Sequence, residues 1–281
     1  MIYTHIPDIS CFYSDTVGDV LMEPTAHFEY EMLLITNGRA SACINQRSYS
    51  LKAGNLIFIS RLERHIYLIE EEPYCRYVVS LSGSLILSYI KDTKLASIFI
   101  QRPKGFSHAI QLPSCTYQRV LPFFQQLAEE YSLQEAFYSV KSAALFLIIL
   151  IELYRTNPNY FPMRSHTEIS DAVLSAQRCV NDYYMKKLTL QEIAESNFVS
   201  RHALSLAFKD IVGITFKEYL ILFRLTEAKK LLLTTDLSIS QISEAVGYEN
   251  VNNFLRIFKK REKITPLQYR KCHTLYTHEI S

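Results

Sequence analysis

The sequence predicts an α+β protein with two domains. A small β-barrel or jelly roll followed by two helices precedes an all-α domain, in which a long helix joins two helix-turn-helix units. Three observations support this: short β-rich runs fill the region from about Glu29 to Ser82, helical periodicity begins near Thr116, and two segments fifty residues apart share one helix ending. We place the first domain at residues 1–155, a linker at 156–167 and the second domain at 168–281.

Five short runs rich in β-branched and aromatic residues predict the strands of the first domain. They read MLLIT, ASACI, NLIFIS, IYLI and RYVVSLS. Turn signals at Asn37-Gly38, Ala53-Gly54 and Glu72-Pro73 separate them. Short strands at even spacing are typical of a small barrel or jelly roll.

Helical periodicity then predicts two antiparallel helices, RVLPFFQQLAEEY and KSAALFLIILIELY. The apolar run from Ala143 to Ile151 is far shorter than the roughly 20 residues that a membrane span requires, so we expect a buried helix and no membrane partner. Because this helix is apolar on nearly every side, the sequence predicts that part of it packs on a second copy of the chain, with packing wholly against its own sheet as the alternative. The segment TNPNYFPMRSHT has the composition of a linker.

The second domain contains the same supersecondary unit twice. Each unit has an N-cap residue, a short helix, a tight turn, and a second N-cap before another helix. Leu204, Phe208, Phe254 and Phe258 are placed to form the cores. The first caps are Thr189 with Glu192 and Ser238 with Gln241, Gly247 supplies a turn, and the second caps are Ser200 and Asn250.

The two units also end alike, in AFKDIVGITFKEYL and IFKKREKITPLQYR. Between them, Phe216 to Leu233 has apolar positions at helical spacing and no helix breaker. This predicts one uninterrupted helix of roughly 27 Å. That length is close to the roughly 34 Å between successive major-groove openings on one face of B-DNA.

Composition limits the other functional classes. The chain has 281 residues, of which 48% are hydrophobic, and six scattered cysteines without metal-ligand spacing, so we expect a reduced protein of the cytoplasm. No secretion signal is recognised at the N-terminus. Net charge is only +2, but one short stretch is strongly basic and suits phosphate binding. Its cations are Arg256, Lys259, Lys260, Arg261, Lys263, Arg270 and Lys271.

The segment from about Glu168 to Lys271 resembles the DNA-binding domain of the AraC/XylS family of bacterial transcription regulators. The motifs are LSLAFKDIVGITFKEYL, RLTEAKKLLLTTDLSISQISEAVGY and FLRIFKK with TPLQYR. One departure is Lys263, which stands where the family usually has glycine, whereas Gly213 keeps that residue in the first unit. A left-handed backbone is strained for lysine.

The resemblance implies that the second helix of each unit enters the major groove of double-stranded DNA. Arg256 is the strongest candidate reader, because an arginine fork can bind both guanine acceptors, and Asn252 suits the adenine edge. Leu206 occupies the matching place in the first unit, which should therefore discriminate less sharply. The outward-facing residues are Arg201, His202, Ser205, Leu206 and Lys209, then Val251, Asn252, Leu255, Arg256, Lys259 and Lys260.

The N-terminal part, HFEYEMLLITNGRASACI with LKAGNLIFISRLERH, resembles the cupin-type sensor domain common in this family. Enzymatic cupins hold a metal with a denser His/Glu set, and Glu29 stands at the second histidine of their usual motif. We therefore expect a polar small-molecule effector, such as a sugar, at His27, Glu31 and His65, and neither metal nor cofactor.

The sequence thus predicts a non-enzymatic, homodimeric transcription regulator that responds to an effector, with RNA polymerase as a further candidate partner. No nucleophile with its base, phosphate loop or paired carboxylates are recognised. Two alternatives stay open: a metal-dependent cupin enzyme with a nucleic-acid-binding tail, and a constitutive regulator whose first domain only dimerises.

Overall fold

A computed structural model describes residues 9–16, 27–83, 85–90, 92–100, 102, 105–161 and 167–278. The chain divides into two compact units, Met1–His166 and Thr167–Ser281. The predicted linker at 156–167 stays a prediction, since residues 162–166 lie outside the described residues. None of the helices in the described ranges combines the length and hydropathy needed to cross a bilayer.

The first unit is built on an antiparallel sheet in which the described strands follow the order β1-β5-β2-β4-β6, with β3 paired to β2. Two strands are long and run the length of the sheet, which confirms the predicted β-rich domain. The strands are β1 Ile9–Thr16, β2 Tyr30–Ile44, β3 Arg47–Lys52, β4 Asn55–Ile59, β5 His65–Leu81 and β6 Ala109–Gln111.

Two of the predicted turns are wrong. MLLIT and ASACI form one strand, β2, and IYLI and RYVVSLS form another, β5, so Asn37-Gly38 and Glu72-Pro73 lie inside strands. Register shifts between Ile35 and Ala40 mark bulges in β2. Gly38 has φ +77°, and a β-carbon there would lie 2.6 Å from the carbonyl oxygens of Glu71 and Pro73, so the glycine permits close strand pairing rather than a turn. The turn at Ala53-Gly54 is confirmed.

The bulges in β2 keep both halves of the strand facing one core. Leu33 and Ile35 point into it from the first half, and Ala40 and Ala42 from the second. Without the shifts, strict alternation would turn one half outward. Residues from β3, β4 and β5 complete this core, so the face that carries them is called the inner face below.

The outer face of the sheet is covered by helices. The bounds are α1 Thr93–Ala96, α2 Ser114–Leu133 and α3 Tyr138–Thr156. The two long helices confirm the predicted pair and pack against each other and against β1. The buried Phe124 ring lies 6.2 Å from that of Tyr77, and the Phe146 ring lies 6.0 Å from that of Phe99.

The second unit is helical in its described part, and its caps form as predicted. Thr189, Ser200, Ser238 and Asn250 each accept backbone N–H groups at the start of α5, α6, α8 and α9. The bounds are α4 Glu168–Tyr183, α5 Leu190–Ser196, α6 Arg201–Val212, α7 Phe216–Thr234, α8 Ile239–Ala245, α9 Val251–Glu262 and α10 Pro266–His278. The predicted long connecting helix is α7.

The repeat is preserved in the backbone as well as in the sequence. Gly213 ends α6 with φ +86°, and Lys263 ends α9 with φ +67°, so the lysine adopts the left-handed conformation despite the strain expected from its sequence. Both residues donate a backbone N–H to the fourth residue before them, Lys209 and Lys259, at 2.9 and 3.0 Å. The two helix ends therefore share one hydrogen-bonded geometry.

Candidate functional site

Helices α6 and α9 each bury one side and expose the other. Leu204, Phe208, Phe254 and Phe258 are fully buried, as predicted, and anchor the two helices in their units. The opposite sides carry most of the predicted base-reading residues. The exposed ones are Arg201, His202, Ser205, Leu206, Lys209, Asn252, Arg256, Lys259 and Lys260.

Leu255 requires a correction. It was predicted to face outward, but it is only partly exposed and packs against the core cluster around Phe254 and Phe258. An apolar side chain at the border of the buried side stabilises the folded state when it covers that core, because its apolar surface is removed from water. Val251, also predicted to face outward, is half-buried.

An open cleft of about 1300 Å³ lies between the two helix-turn-helix units. Arg201 and Ser205 reach it from α6, and Val251, Arg256 and Lys260 from α9. Arg261 of the predicted basic stretch also lines it, together with three cations that the sequence did not single out, Lys187, Lys217 and Arg224. Because opposing acids in the lining are few, Glu244 and Glu249, the cleft is basic and suits a polyanion.

Arg256 is partly oriented before any ligand binds. Its Nη2 donates to Asn253 Oδ1 at 3.0 Å, and the Asn253 backbone N–H donates to the cap residue Asn250 at 3.3 Å. This chain of hydrogen bonds ties the guanidinium to the start of α9. A side chain that is held in place loses less conformational entropy when it binds.

Two arginines in this unit bind backbone carbonyl oxygens, an arrangement that could not be seen in the sequence. Arg270, part of the predicted basic cluster, donates to the carbonyl oxygens of Leu232 and Leu237 at 3.1 and 2.7 Å and so caps the end of α7. Arg224 donates to those of Tyr184 and Lys186 at 2.8 and 2.9 Å and holds the connection before α5. Arg270 is therefore removed from the set of phosphate-binding candidates.

In the first unit, the predicted effector residues His27, Glu31 and His65 lie together. Each histidine donates Nδ1–H to a carbonyl oxygen, of Glu29 at 3.1 Å and of Glu63 at 2.9 Å. Both Nε2 atoms consequently face Glu31, at 3.3 Å from Oε1 for His27 and 3.8 Å from Oε2 for His65.

This cluster offers donor atoms within 4.8 Å of one another, a separation that a single cation could span. Fixing Nδ1 by a carbonyl also orients an imidazole for metal binding. Burial opposes protonation of His27, but the carboxylates of Glu31 and Glu29 outweigh it and raise the pKa of His27 above its ordinary value. The cluster can thus bind a polar ligand, a proton or a cation.

Glu63 lies at the centre of a second buried polar group. Its carboxylate accepts from Arg102 at 2.8 Å, His108 at 3.1 Å and the Ser60 backbone at 2.6 Å, and His108 in turn contacts the Tyr49 hydroxyl at 2.9 Å. Burial disfavours the charged carboxylate, but these partners outweigh it and hold the pKa of Glu63 at about 2. These contacts pair the buried carboxylate with two basic side chains, while Arg102 Nη2 has no hydrogen-bond partner among the described residues.

Sequence reasoning missed three polar residues on the inner face of β5, Tyr67, Tyr74 and Arg76. Tyr67 and Tyr74 belong to the inner core cluster, and Arg76 shares their face by alternation with Tyr74. Alternation along an unbroken strand could have grouped Tyr74 with Arg76. The sequence split this strand at Glu72-Pro73, which hid the grouping.

Comparisons with known proteins identify the family of each unit. Residues 7–150 match the family described as AraC-like ligand binding domain, and residues 193–272 match the one described as helix-turn-helix domain. A ligand-binding domain followed by paired helix-turn-helix units defines a DNA-binding transcription regulator. The chain belongs to the AraC family of these regulators.

Two curated relatives cover most of the chain. The lactose operon transcription activator of Staphylococcus xylosus is 25% identical over 251 residues, covering 84% of this chain and 82% of the relative. The HTH-type transcriptional activator RhaR of Enterobacter sp. is 23% identical over 254 residues, covering 90% and 88%. The crystal structure of unsaturated fatty acid bound ToxT from Vibrio cholerae shares the fold, with TM-score 0.58, 14% identity and 94% of both chains covered.

Proposed function

We propose that this transcription regulator reads DNA through the cleft between its helix-turn-helix units and responds to a polar small molecule in its first unit. The observation that carries the first part is that both predicted reading helices contribute to one basic cleft. Both helices could then contact one duplex, because a single surface presents the start of each.

Base discrimination is assigned mainly to α9. Arg256 can donate to both acceptors of a guanine, and Asn252 can pair with an adenine edge. Leu206 of α6 is 59% exposed and can offer a thymine only apolar contact. The remaining exposed cations, among them Lys209, Lys259 and Lys260, are assigned to phosphates.

The effector is assigned to the cluster of His27, Glu31 and His65. Carboxylate and imidazole groups together accept and donate hydrogen bonds, which suits a ligand rich in hydroxyl groups. A relative named as a lactose operon activator supports a sugar-like molecule. We propose that the site binds without catalysis, since the named relatives are transcription activators.

A metal ion is the second candidate for this cluster, because the donor atoms of its three residues lie within 4.8 Å. Titration of the purified, chelator-treated protein with Zn²⁺ distinguishes the two. We expect no stoichiometric tight binding. One equivalent of tightly bound Zn²⁺ that is lost in His65→Gln would favour the metal-dependent alternative.

We further propose that the protein is a cytoplasmic homodimer that contacts RNA polymerase at its promoters. Residues 1–155 would supply effector sensing and dimerisation, and residues 168–281 DNA binding. The apolar outer side of α3 supports the dimer, since Val140, Ala144 and Ile148 are exposed there.

Binding-site selection with the full-length protein tests the proposed function. We expect an enriched sequence with two reading positions about one helical turn apart, one for each helix-turn-helix unit. The apparent affinity should change when the effector is added. Recovery of unrelated sequences with uniform affinity would contradict specific reading.

A further inference from the structure

Arg76 is a buried cation that has no anionic partner among the described residues. It is 6% exposed, its Nη1 donates to Thr16 Oγ1 at 2.9 Å, and its guanidinium carbon lies 4.9 Å from the centre of the Tyr74 ring. Among the described residues, no aspartate or glutamate forms an ion pair with it. A buried charge is costly unless it is paired, so Arg76 is unusual for a purely structural residue.

Arg102 is a second buried arginine of this domain and can be compared with Arg76. It is also buried in the first unit, but it pairs with Glu63 at 2.8 Å and donates Nε–H to the Ile98 carbonyl at 2.6 Å. Both guanidinium groups are buried in the same domain, but Arg102 binds a carboxylate and Arg76 binds a neutral hydroxyl. Within the described residues, Arg102 has a carboxylate partner and Arg76 has none.

Two more hydrogen-bond donors on the same face lack acceptors. The hydroxyl groups of Tyr67 and Tyr74 are buried and have no hydrogen-bond partner among the described residues. Burial raises the pKa of Tyr74 to about 12, and the nearby charge of Arg76 opposes that rise. Burial likewise raises the pKa of Tyr67, with Glu31 adding to the rise and Arg76 opposing it. Tyr67 thus lies within the electrostatic influence of both groups.

A guanidinium whose hydrogen-bond acceptor is the neutral Thr16 hydroxyl lies on one face with two phenol hydroxyls that have no acceptor among the described residues. An anionic oxygen group supplies acceptors for such donors, and arginine can bind a carboxylate or phosphate with two parallel hydrogen bonds. We propose that Arg76, Tyr67 and Tyr74 form an anion-binding part of the effector site, and that the effector carries a carboxylate or phosphate group. This inference rests on the proposed effector function, and places the polar remainder of the ligand toward Glu31.

The stability of the ligand-free protein gives the first test. Arg76→Met removes an unpaired buried charge, so we expect the melting temperature of the first unit to rise by about 2–4 °C. Arg102→Met is the matched control and should lower it, because the buried Glu63 carboxylate loses its arginine partner. A decrease in Arg76→Met like that in Arg102→Met would overturn the assignment.

Matched ligands give the second test, with thermal shift of the full-length protein as the readout. The probes are galactose, galacturonate and galactose 6-phosphate, and glucose, glucuronate and glucose 6-phosphate, at equal ionic strength. We expect an acid or a phosphate to stabilise the wild type, its neutral parent to have no effect, and the shift to disappear in Arg76→Met. Comparison of the acid and phosphate arms identifies the anionic group.

Variants that remain folded measure what each tyrosine hydroxyl contributes to anion binding. Tyr67→Phe and Tyr74→Phe should each reduce the anion-dependent shift and leave the ligand-free protein folded. Stabilisation by a neutral sugar that persists in Arg76→Met would overturn the anionic assignment but leave the proposed effector function standing. Absence of any shift in the wild type would overturn the assignment, and unchanged DNA affinity with every probe would count against the effector function itself.

Discussion

Lys263 keeps a backbone geometry that its residue type disfavours. Its φ of +67° matches the +86° of Gly213 at the end of the first unit, although a lysine side chain resists this region. The Lys263 Nζ turns back and donates to the Lys260 carbonyl oxygen at 3.3 Å, which satisfies one carbonyl at the end of α9. The surrounding repeat therefore imposes the turn, and the side chain compensates only in part.

This strain predicts a stabilising substitution. Lys263→Gly should raise the free energy of unfolding by roughly 0.5–1 kcal/mol, because glycine adopts positive φ without steric conflict. Gly213→Lys is the matched control in the other unit and should lower it by a similar amount. Chemical denaturation measures both, and a destabilised Lys263→Gly protein would show that the lysine side chain outweighs the backbone strain.

Arg256 is expected to determine preference at one base position. Arg256→Ala should reduce affinity for the selected site by about 1–3 kcal/mol and relax selection at that position, since a bidentate arginine–guanine contact is lost. Competition binding with single-base variants of the selected site measures this loss.

Lys260→Ala is the control from the same helix and the same cleft. As a phosphate contact, Lys260 should contribute equally on all sequences, and its removal should flatten the salt dependence by about one unit. Equal losses on all sequences from both variants would contradict the base-reading role of Arg256.

At the scale of elements, the helical domain could be predicted from the sequence and the sheet only in part. Helix caps such as Ser200 and Asn250 act on neighbouring residues, so the signal is local. The continuity of β2 and β5 depends instead on how the two strands pair around Gly38. Burial of Leu255 likewise depends on a core that forms only in three dimensions.

The candidate sites, like the helices and strands, could be predicted from the sequence only in part. The sequence identified His27, Glu31 and His65 through a resemblance, and the structure brings them together. It could not identify Arg76 as unusual, because the lack of an ion-pair partner in the described part of the chain is visible only after folding. Arg270, by contrast, looked like a phosphate ligand because its two carbonyl partners lie more than thirty residues away.

The buried group around Glu63 predicts a defined pH dependence. The pKa of Glu63 is about 2 in the folded chain, below the roughly 4.3 of an unfolded glutamate. Its stabilisation is therefore present above about pH 4.3 and is lost as the pH falls toward 2. The effect should be on the order of 2–3 kcal/mol.

Glu63→Gln supplies the comparison, because it keeps the shape and removes the charge. The difference in unfolding free energy between wild type and variant should shrink between about pH 4.3 and pH 2. Urea denaturation across this interval measures it. A difference that stays constant with pH would exclude a charge effect.

Helix α3 is the element on which the dimer proposal depends. Its buried side includes Phe146, Ile149 and Leu150, yet Val140 and Ile148 on the other side are also apolar and exposed. Val140→Glu and Ile148→Glu should convert a dimer to a monomer in sedimentation, because each places a charge in the proposed interface.

Gln126→Glu on the exposed side of α2 is the control for added charge and should sediment as the wild type does. Circular dichroism establishes that each variant is folded. Folded Val140→Glu and Ile148→Glu proteins that sediment like the wild type would exclude this surface of α3 as the interface.

At the scale of the molecule, each unit has a core of its own. Leu33 and Ile57 belong to the inner core of the first unit, and Leu225, Ile242 and Phe254 to a core of the second. A signal from the effector site can therefore reach DNA without repacking of the recognition helices. In the proposed dimer, an effector would act by binding two arrangements of the subunits with different affinity.

Independent units lead to a prediction about the fragment that contains residues 165–281. It should fold and select the same DNA sequence as the full-length protein, because the residues assigned to reading and their supporting core all lie within it. Its affinity for paired sites should be lower, since it lacks the effective concentration that a linked dimer provides. Footprinting of fragment and full-length protein, with and without effector, measures both properties. Only the full-length protein should respond to effector, and a fragment with altered base preference would falsify the modular arrangement.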